Sequence, residues 1–155
     1  MPAPTVGAKA PDFTVLTDTG ESLTLSSLQG RPVVLYFYPK DDTSGCTVEA
    51  CEFRDQFPQF EQGKAVILGV SPDSVKSHAK FKAKFELPFT LLADTEKEIV
   101  QAYDVWKEKS MYGRKYMGVV RTTFVIDAKG RIAKVFEKVT PAGHAAEVMT
   151  ALAEL

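Results

Sequence analysis

The chain predicts an α/β fold: a mixed central β-sheet flanked by helices on both faces, with an N-terminal β-hairpin. Two patterns carry the prediction. Three continuous apolar runs, Val33 to Tyr38, Ala65 to Val70 and Phe89 to Leu92, alternate with segments of helical character, as expected for strands buried on both faces and covered by helices. Two strand-like segments joined by a turn then precede a last helical pattern, which adds antiparallel pairing to the sheet. At 155 residues the chain suits one domain, 1–155, able to bury a core without disulfide staples.

The elements follow in order. Phe13 to Leu16 and Ser22 to Leu25 alternate apolar and polar residues around Asp18-Thr19-Gly20, the pattern of a small hairpin. Gly30 and Pro32 punctuate the chain before Val33 to Tyr38, whose unbroken apolar character marks a central strand. A helix follows Cys46; Pro58 would kink or split it, which places its first part at Thr47 to Phe57. Ala65 to Val70 is a second buried strand. Ser74 to Glu86 is a helix with Val75, Ala79, Phe81 and Phe85 on one face, and Phe89 to Leu92 a third strand. Glu96 to Tyr103 forms a short helix, and 106–117 lacks periodicity and reads as an ordered loop. Thr122 to Asp127 and Arg131 to Glu137 pair around Ala128-Lys129-Gly130, and Gly143 to Leu155 closes the fold as a helix.

Composition excludes some functions. Lys and Arg total 19 against 20 Asp and Glu, a formal charge of −1, so no electrostatic case exists for nucleic acid or an anionic membrane as partner. Lys107, Lys109, Arg114 and Lys115 are interrupted by Glu108 and read as a solvated loop. Met1 to Gly7 lacks the basic segment and apolar core of a signal peptide, and no apolar run approaches membrane-spanning length. The expected compartment is the cytoplasm, where two cysteines point to catalysis or metal rather than a structural staple. A zinc site from Cys46, Cys51, His78 and His144 lacks the short His pairing of zinc modules; each histidine reads as a surface helix residue. Trp106, Tyr36, Phe37 and Tyr38 read as core.

The segment Pro39-Lys40-Asp41-Asp42-Thr43-Ser44-Gly45-Cys46, with Cys51 five residues on, carries the chemistry. Cys46 sits where a buried strand hands over to a helix N-terminus. Unpaired N–H groups and the helix dipole stabilise negative charge there, so the position favours a thiolate.

Pro39-x-x-x-Thr43-x-x-Cys46 resembles the active-site signature of peroxiredoxins, thiol peroxidases on a thioredoxin-like fold. Ala10-Pro11-Asp12-Phe13, Val70-Ser71-Pro72-Asp73 and Val120-Arg121-Thr122-Thr123-Phe124-Val125-Ile126-Asp127 fit the same family. The second cysteine at this spacing and Trp106-Lys107-Glu108-Lys109-Ser110-Met111-Tyr112-Gly113 are similar to the bacterioferritin comigratory protein and peroxiredoxin Q branch. The resemblance implies that Cys46 attacks a hydroperoxide and becomes a sulfenic acid. It implies a catalytic Thr43 hydroxyl, a pocket wall from Pro39, and Arg121 placed against the cysteine. Glu49, three residues into the helix, is a candidate to orient Arg121, or equally an acid favoured in a first helical turn.

Cys51 is the expected resolving cysteine, in an atypical two-cysteine cycle. Five residues of ideal helix separate the two Cα atoms by about 8 to 9 Å. A disulfide needs less than about 7 Å. The first turns must therefore unwind before the Cys46–Cys51 bond forms. The resemblance further implies thioredoxin or a glutaredoxin-like dithiol protein as reductant, no metal, haem or flavin, and a monomer or at most a weak dimer. Two other readings are a thiol–disulfide oxidoreductase, disfavoured because those use Cys-x-x-Cys, and a redox sensor switched by the same disulfide.

Overall fold

The structure is a computed structural model describing residues 3–155; Met1 and Pro2, the start of the segment read against a signal peptide, lie outside the described residues. Five strands form the main sheet: β3 (Val33–Phe37), β4 (Val66–Ser71), β5 (Thr90–Ala93), β8 (Thr122–Ile126) and β9 (Ile132–Phe136), in the order β5-β4-β3-β8-β9. β3 pairs parallel with β4 and antiparallel with β8, and β4 pairs parallel with β5, so the sheet is mixed. The expected N-terminal hairpin is present as β1 (Thr14–Leu16) and β2 (Ser22–Thr24).

The alternation of β3 divides the core in two. Val33, Leu35 and Phe37 point to one face, against Ile99, Val100 and Tyr103 around the short helix α4 (Glu98–Ala102). Val34, Tyr36 and the following Tyr38 point to the other. There they meet Cys46, Ala50 and Phe53 of α1 (Ser44–Asp55), Phe60 of α2 (Phe57–Gln62), Phe81 of α3 (Val75–Phe85) and Ala145 and Val148 of α5 (His144–Ala153). Helices therefore cover both faces, and every residue of β3 and β8 is buried.

Pro58 splits the helix as its missing N–H requires: α1 ends at Asp55, and Pro58 sits in the first turn of α2, where no hydrogen bond is lost. Two expectations are corrected. Segment 106–117 is not a loop but the hairpin β6 (Trp106–Met111) and β7 (Arg114–Val119), turned by Tyr112 and Gly113 at φ 53° and 78°. Most of its side chains are exposed on both sides, which erases the alternation that marks a half-buried strand. His78 and His144 are not surface residues; both are fully buried. His78 bonds Asp41 and the Leu92 carbonyl, and His144 bonds the Thr123 hydroxyl at 2.8 Å, so polar partners inside the fold replace water.

Candidate active site

β3 delivers the chain through Pro39 and Asp41 to Thr43, the extended residue preceding α1 (φ −98°, ψ 158°). Cys46 lies in the first turn of α1 and faces the Tyr36 side of the sheet, 1% exposed. Between β7 and β8 the chain crosses to this side and presents Arg121, whose carbonyl is held by the Val139 N–H at 2.9 Å.

Arg121 joins the two parts of α1. Its Nη2 donates to Cys46 Sγ at 3.2 Å and its Nη1 to Glu49 Oε1 at 2.7 Å. The guanidinium is 15% exposed and Glu49 fully covered. Burial opposes the charge on Arg121, but Glu49 and Cys46 outweigh it and hold its pKa above the ordinary value. Burial pushes Glu49 up to about 7 from 4.5, against the charge and hydrogen bond of Arg121. Among the described residues its second oxygen, Oε2, has no partner, and neither does the buried Tyr36 hydroxyl. Burial, reinforced by Glu49 and Cys46, places that hydroxyl well above its usual range.

Gly45 makes the approach possible. A Cβ there would lie 3.3 Å from Arg121 Nη2 and 3.5 Å from Pro141, so the absence of a side chain lets the guanidinium reach across the helix N-terminus. Lys109, read from sequence as part of a solvated loop, is half-buried instead. It donates to the Val119 carbonyl at 2.7 Å, and its pKa is lowered by burial and by Arg121, with Cys46 acting in the opposite sense.

Of the residues singled out from sequence, Cys46, Glu49 and Arg121 form one bonded group. Thr43 lies beside it, but its hydroxyl donates to the Lys40 carbonyl at 2.9 Å. Pro39 is half-buried just beyond β3. Cys51 lies in the same continuous helix as Cys46, half-buried, and both cysteines are free thiols. Sequence reasoning missed the close approach at Gly45, whose signal is its place immediately before Cys46, and the buried partners of Asp41, whose signal was only an acidic residue in the same loop.

The arrangement holds a cation at a buried sulfur, with one guanidinium N–H aimed at it. A guanidinium so placed can also donate to an anionic oxygen brought beside Sγ. The only group of three potential metal-donor side chains among the described residues, Asp41, Asp73 and His78, contains neither cysteine. No helix is long and apolar enough to cross a membrane among the described residues.

Comparison with known proteins agrees with this geometry. Residues 6–135 match the AhpC/TSA family. The chain is 50% identical over 150 residues to peroxiredoxin Bcp of Bacillus subtilis, covering 97% of this chain and 96% of that protein. It superimposes on a variant of PrxQ from Xylella fastidiosa with a TM-score of 0.93 at 39% identity, covering 99% and 98% of the two chains. A Xanthomonas campestris bacterioferritin comigratory protein, described in terms of its alkyl peroxide reduction activity, aligns with a TM-score of 0.91 at 40% identity over 97% and 98%. The thioredoxin-like fold, the thiol at a helix N-terminus and these likenesses lead to one conclusion: the chain belongs to the AhpC/TSA family, as a peroxiredoxin of the Bcp and peroxiredoxin Q branch.

Proposed function

We propose that this peroxiredoxin reduces hydrogen peroxide and organic hydroperoxides through Cys46, with Cys51 resolving the intermediate and thioredoxin or a similar dithiol protein restoring both. The observation that carries the reading is the Arg121 guanidinium donating at once to Cys46 Sγ and Glu49 Oε1. Likeness to a protein described by alkyl peroxide reduction supports the organic substrates.

The Cys46 thiolate attacks the distal peroxide oxygen, the O–O bond breaks, and the alkoxide or hydroxide leaves as alcohol or water after taking up a proton. Cys46 is then a sulfenic acid. Arg121 stabilises the charge on the departing oxygen, which is greatest in the transition state. Pro39 limits water at the pocket, and Thr43 turns its hydroxyl from Lys40 to the peroxide. Glu49 holds the guanidinium in register.

α1 then unwinds and the Cys51 sulfur attacks Cys46, releasing water and forming the disulfide. An external dithiol reduces that bond by two electrons. The near-neutral charge gives no electrostatic case for an anionic membrane as partner, and likeness to the peroxiredoxin Q branch supports a protein working in the cytoplasm as a monomer.

The test is peroxide consumption with thioredoxin, thioredoxin reductase and NADPH, comparing wild type, Cys46→Ser and Cys51→Ser, with intact mass after one peroxide pulse. The expected result is no turnover in Cys46→Ser, loss of two hydrogens in wild type, and retained oxygen in Cys51→Ser. Turnover persisting in Cys51→Ser would remove Cys51 from the cycle, and a wild type that oxidises once without cycling would make the chain a redox switch.

A further inference from the structure

Asp41 and His78 form a buried pair beneath the loop that carries Pro39 and Thr43. The two side chains are 4% and 0% exposed. His78 Nδ1 lies 2.7 Å from Asp41 Oδ2, and Nε2 lies 2.9 Å from the Leu92 carbonyl. Both ring nitrogens face acceptors. A neutral imidazole has one N–H, so satisfying both requires the imidazolium. The balance of forces agrees: burial opposes the charge, but the Asp41 hydrogen bond and charge, the Leu92 carbonyl and Asp73 together raise the pKa above 6.5.

The pair is braced from several elements. Ser77 Oγ donates to Asp41 Oδ2 at 2.8 Å, and the Tyr38 hydroxyl donates to Oδ1. The Asp41 N–H donates to Asp73 Oδ2 at 2.8 Å, and Ser71 Oγ donates to the same oxygen at 2.6 Å. One residue further, Asp42 adopts φ 57° and pairs with Lys84 Nζ at 2.8 Å. The chain is thus clamped to α3, β4 and β5 immediately before Thr43, where α1 begins.

We infer that Asp41 and His78 are positioning residues: their buried ion pair holds the loop bearing Pro39 and Thr43 against the peroxide site and sets the upstream limit of α1 unwinding. The inference rests on the two-form cycle proposed above. Loosening the pair depletes the assembled, peroxide-reactive form and enriches the open form. The first step slows while disulfide closure holds steady or quickens. A brace that served stability alone would lower Tm and leave both steps where they were.

The experiment is rapid quench with intact-mass detection after one equivalent of hydrogen peroxide. It follows Cys46 oxidation and disulfide closure separately in the full chain, at a temperature where circular dichroism shows each variant folded. Asp41→Ala removes every side-chain contact and should slow Cys46 oxidation about tenfold. Asp41→Asn should recover most of this rate, because an amide accepts from Tyr38 and donates to Nδ1 of a neutral His78 that still donates to Leu92. Ser77→Ala, a milder change, should slow the first step about two- to threefold in the same direction.

A folded Asp41→Ala with both steps within about twofold of wild type, or with both slowed in equal measure, would overturn the inference. Should Asp41→Ala fail to fold, an unchanged ratio of the two rates in Ser77→Ala would do the same. A wild type that forms no Cys51-dependent disulfide would instead remove the underlying cycle.

Discussion

Oxidation should cost this protein a measurable part of its helix. Cys46 and Cys51 are the third and eighth residues of one continuous α-helix, α1, so their Cα atoms stand about 8 to 9 Å apart, beyond the roughly 7 Å that a disulfide tolerates. The bond therefore requires unwinding of residues 44–51 at least. Phe53 opposes more: it is fully buried, stacks on Tyr36 at 4.9 Å and meets Phe60 at 5.7 Å, and exposing such a ring costs about 2 to 3 kcal/mol. α1 holds 12 residues, α2 6, α3 11, α4 5 and α5 10. Loss of residues 44–51 removes roughly a fifth of the helical signal, and complete melting of α1 about a quarter. The assay is far-ultraviolet circular dichroism of reduced protein and of protein whose disulfide is verified by mass. Equal helix content in the two forms would refute the reasoning, because it would mean the bond closes within an intact helix.

Three further outcomes follow from the site. Arg121→Gln keeps a polar side chain but loses the cation and the fork, and should lower the second-order rate of Cys46 oxidation by about 100-fold or more in stopped-flow competition. Gly45→Ala places a Cβ 3.3 Å from Arg121 Nη2; helix propensity offers up to about 1 kcal/mol, so Tm should hold or rise while peroxide reactivity falls several-fold, a separation read by calorimetry beside kinetics. Glu49 should make stability pH-dependent in an unusual direction. The folded state keeps its proton up to about 7, whereas the unfolded chain releases it near 4.5, so this contribution is fully present below 4.5 and is lost as pH rises to about 7. The gap corresponds to about 3 kcal/mol, and denaturant melts of Glu49→Gln across that range should lose this slope.

What sequence could reveal depended on whether a residue's role is local. β3 was readable because a strand buried on both faces must be apolar throughout, and the split at Pro58 because a missing N–H has a local consequence. The Cys46 motif was readable because strand, loop and helix N-terminus are contiguous. The β6 and β7 hairpin was not, since its exposed faces leave no period and its turn uses Tyr112-Gly113 rather than a common hairpin pair. Nor were the buried histidines: a lone histidine on a helix looks the same whether it faces water or Asp41, 37 positions away in the chain. Arg121 reaches Cys46 across 75 positions, and family resemblance rather than pattern placed it there.

The Cys46 sulfur is itself part of the apolar cluster beneath the helices, in company with Ala50, Phe53, Tyr36 and Tyr38. Opening residues 44–51 would thus do more than bring two sulfurs together, because it would lift Cys46 and Ala50 from this cluster and uncover the apolar side chains beneath them. The oxidised enzyme would wear its redox state as surface hydrophobicity, and a reductant that prefers a greasy landing site would distinguish spent molecules from ready ones before touching the disulfide.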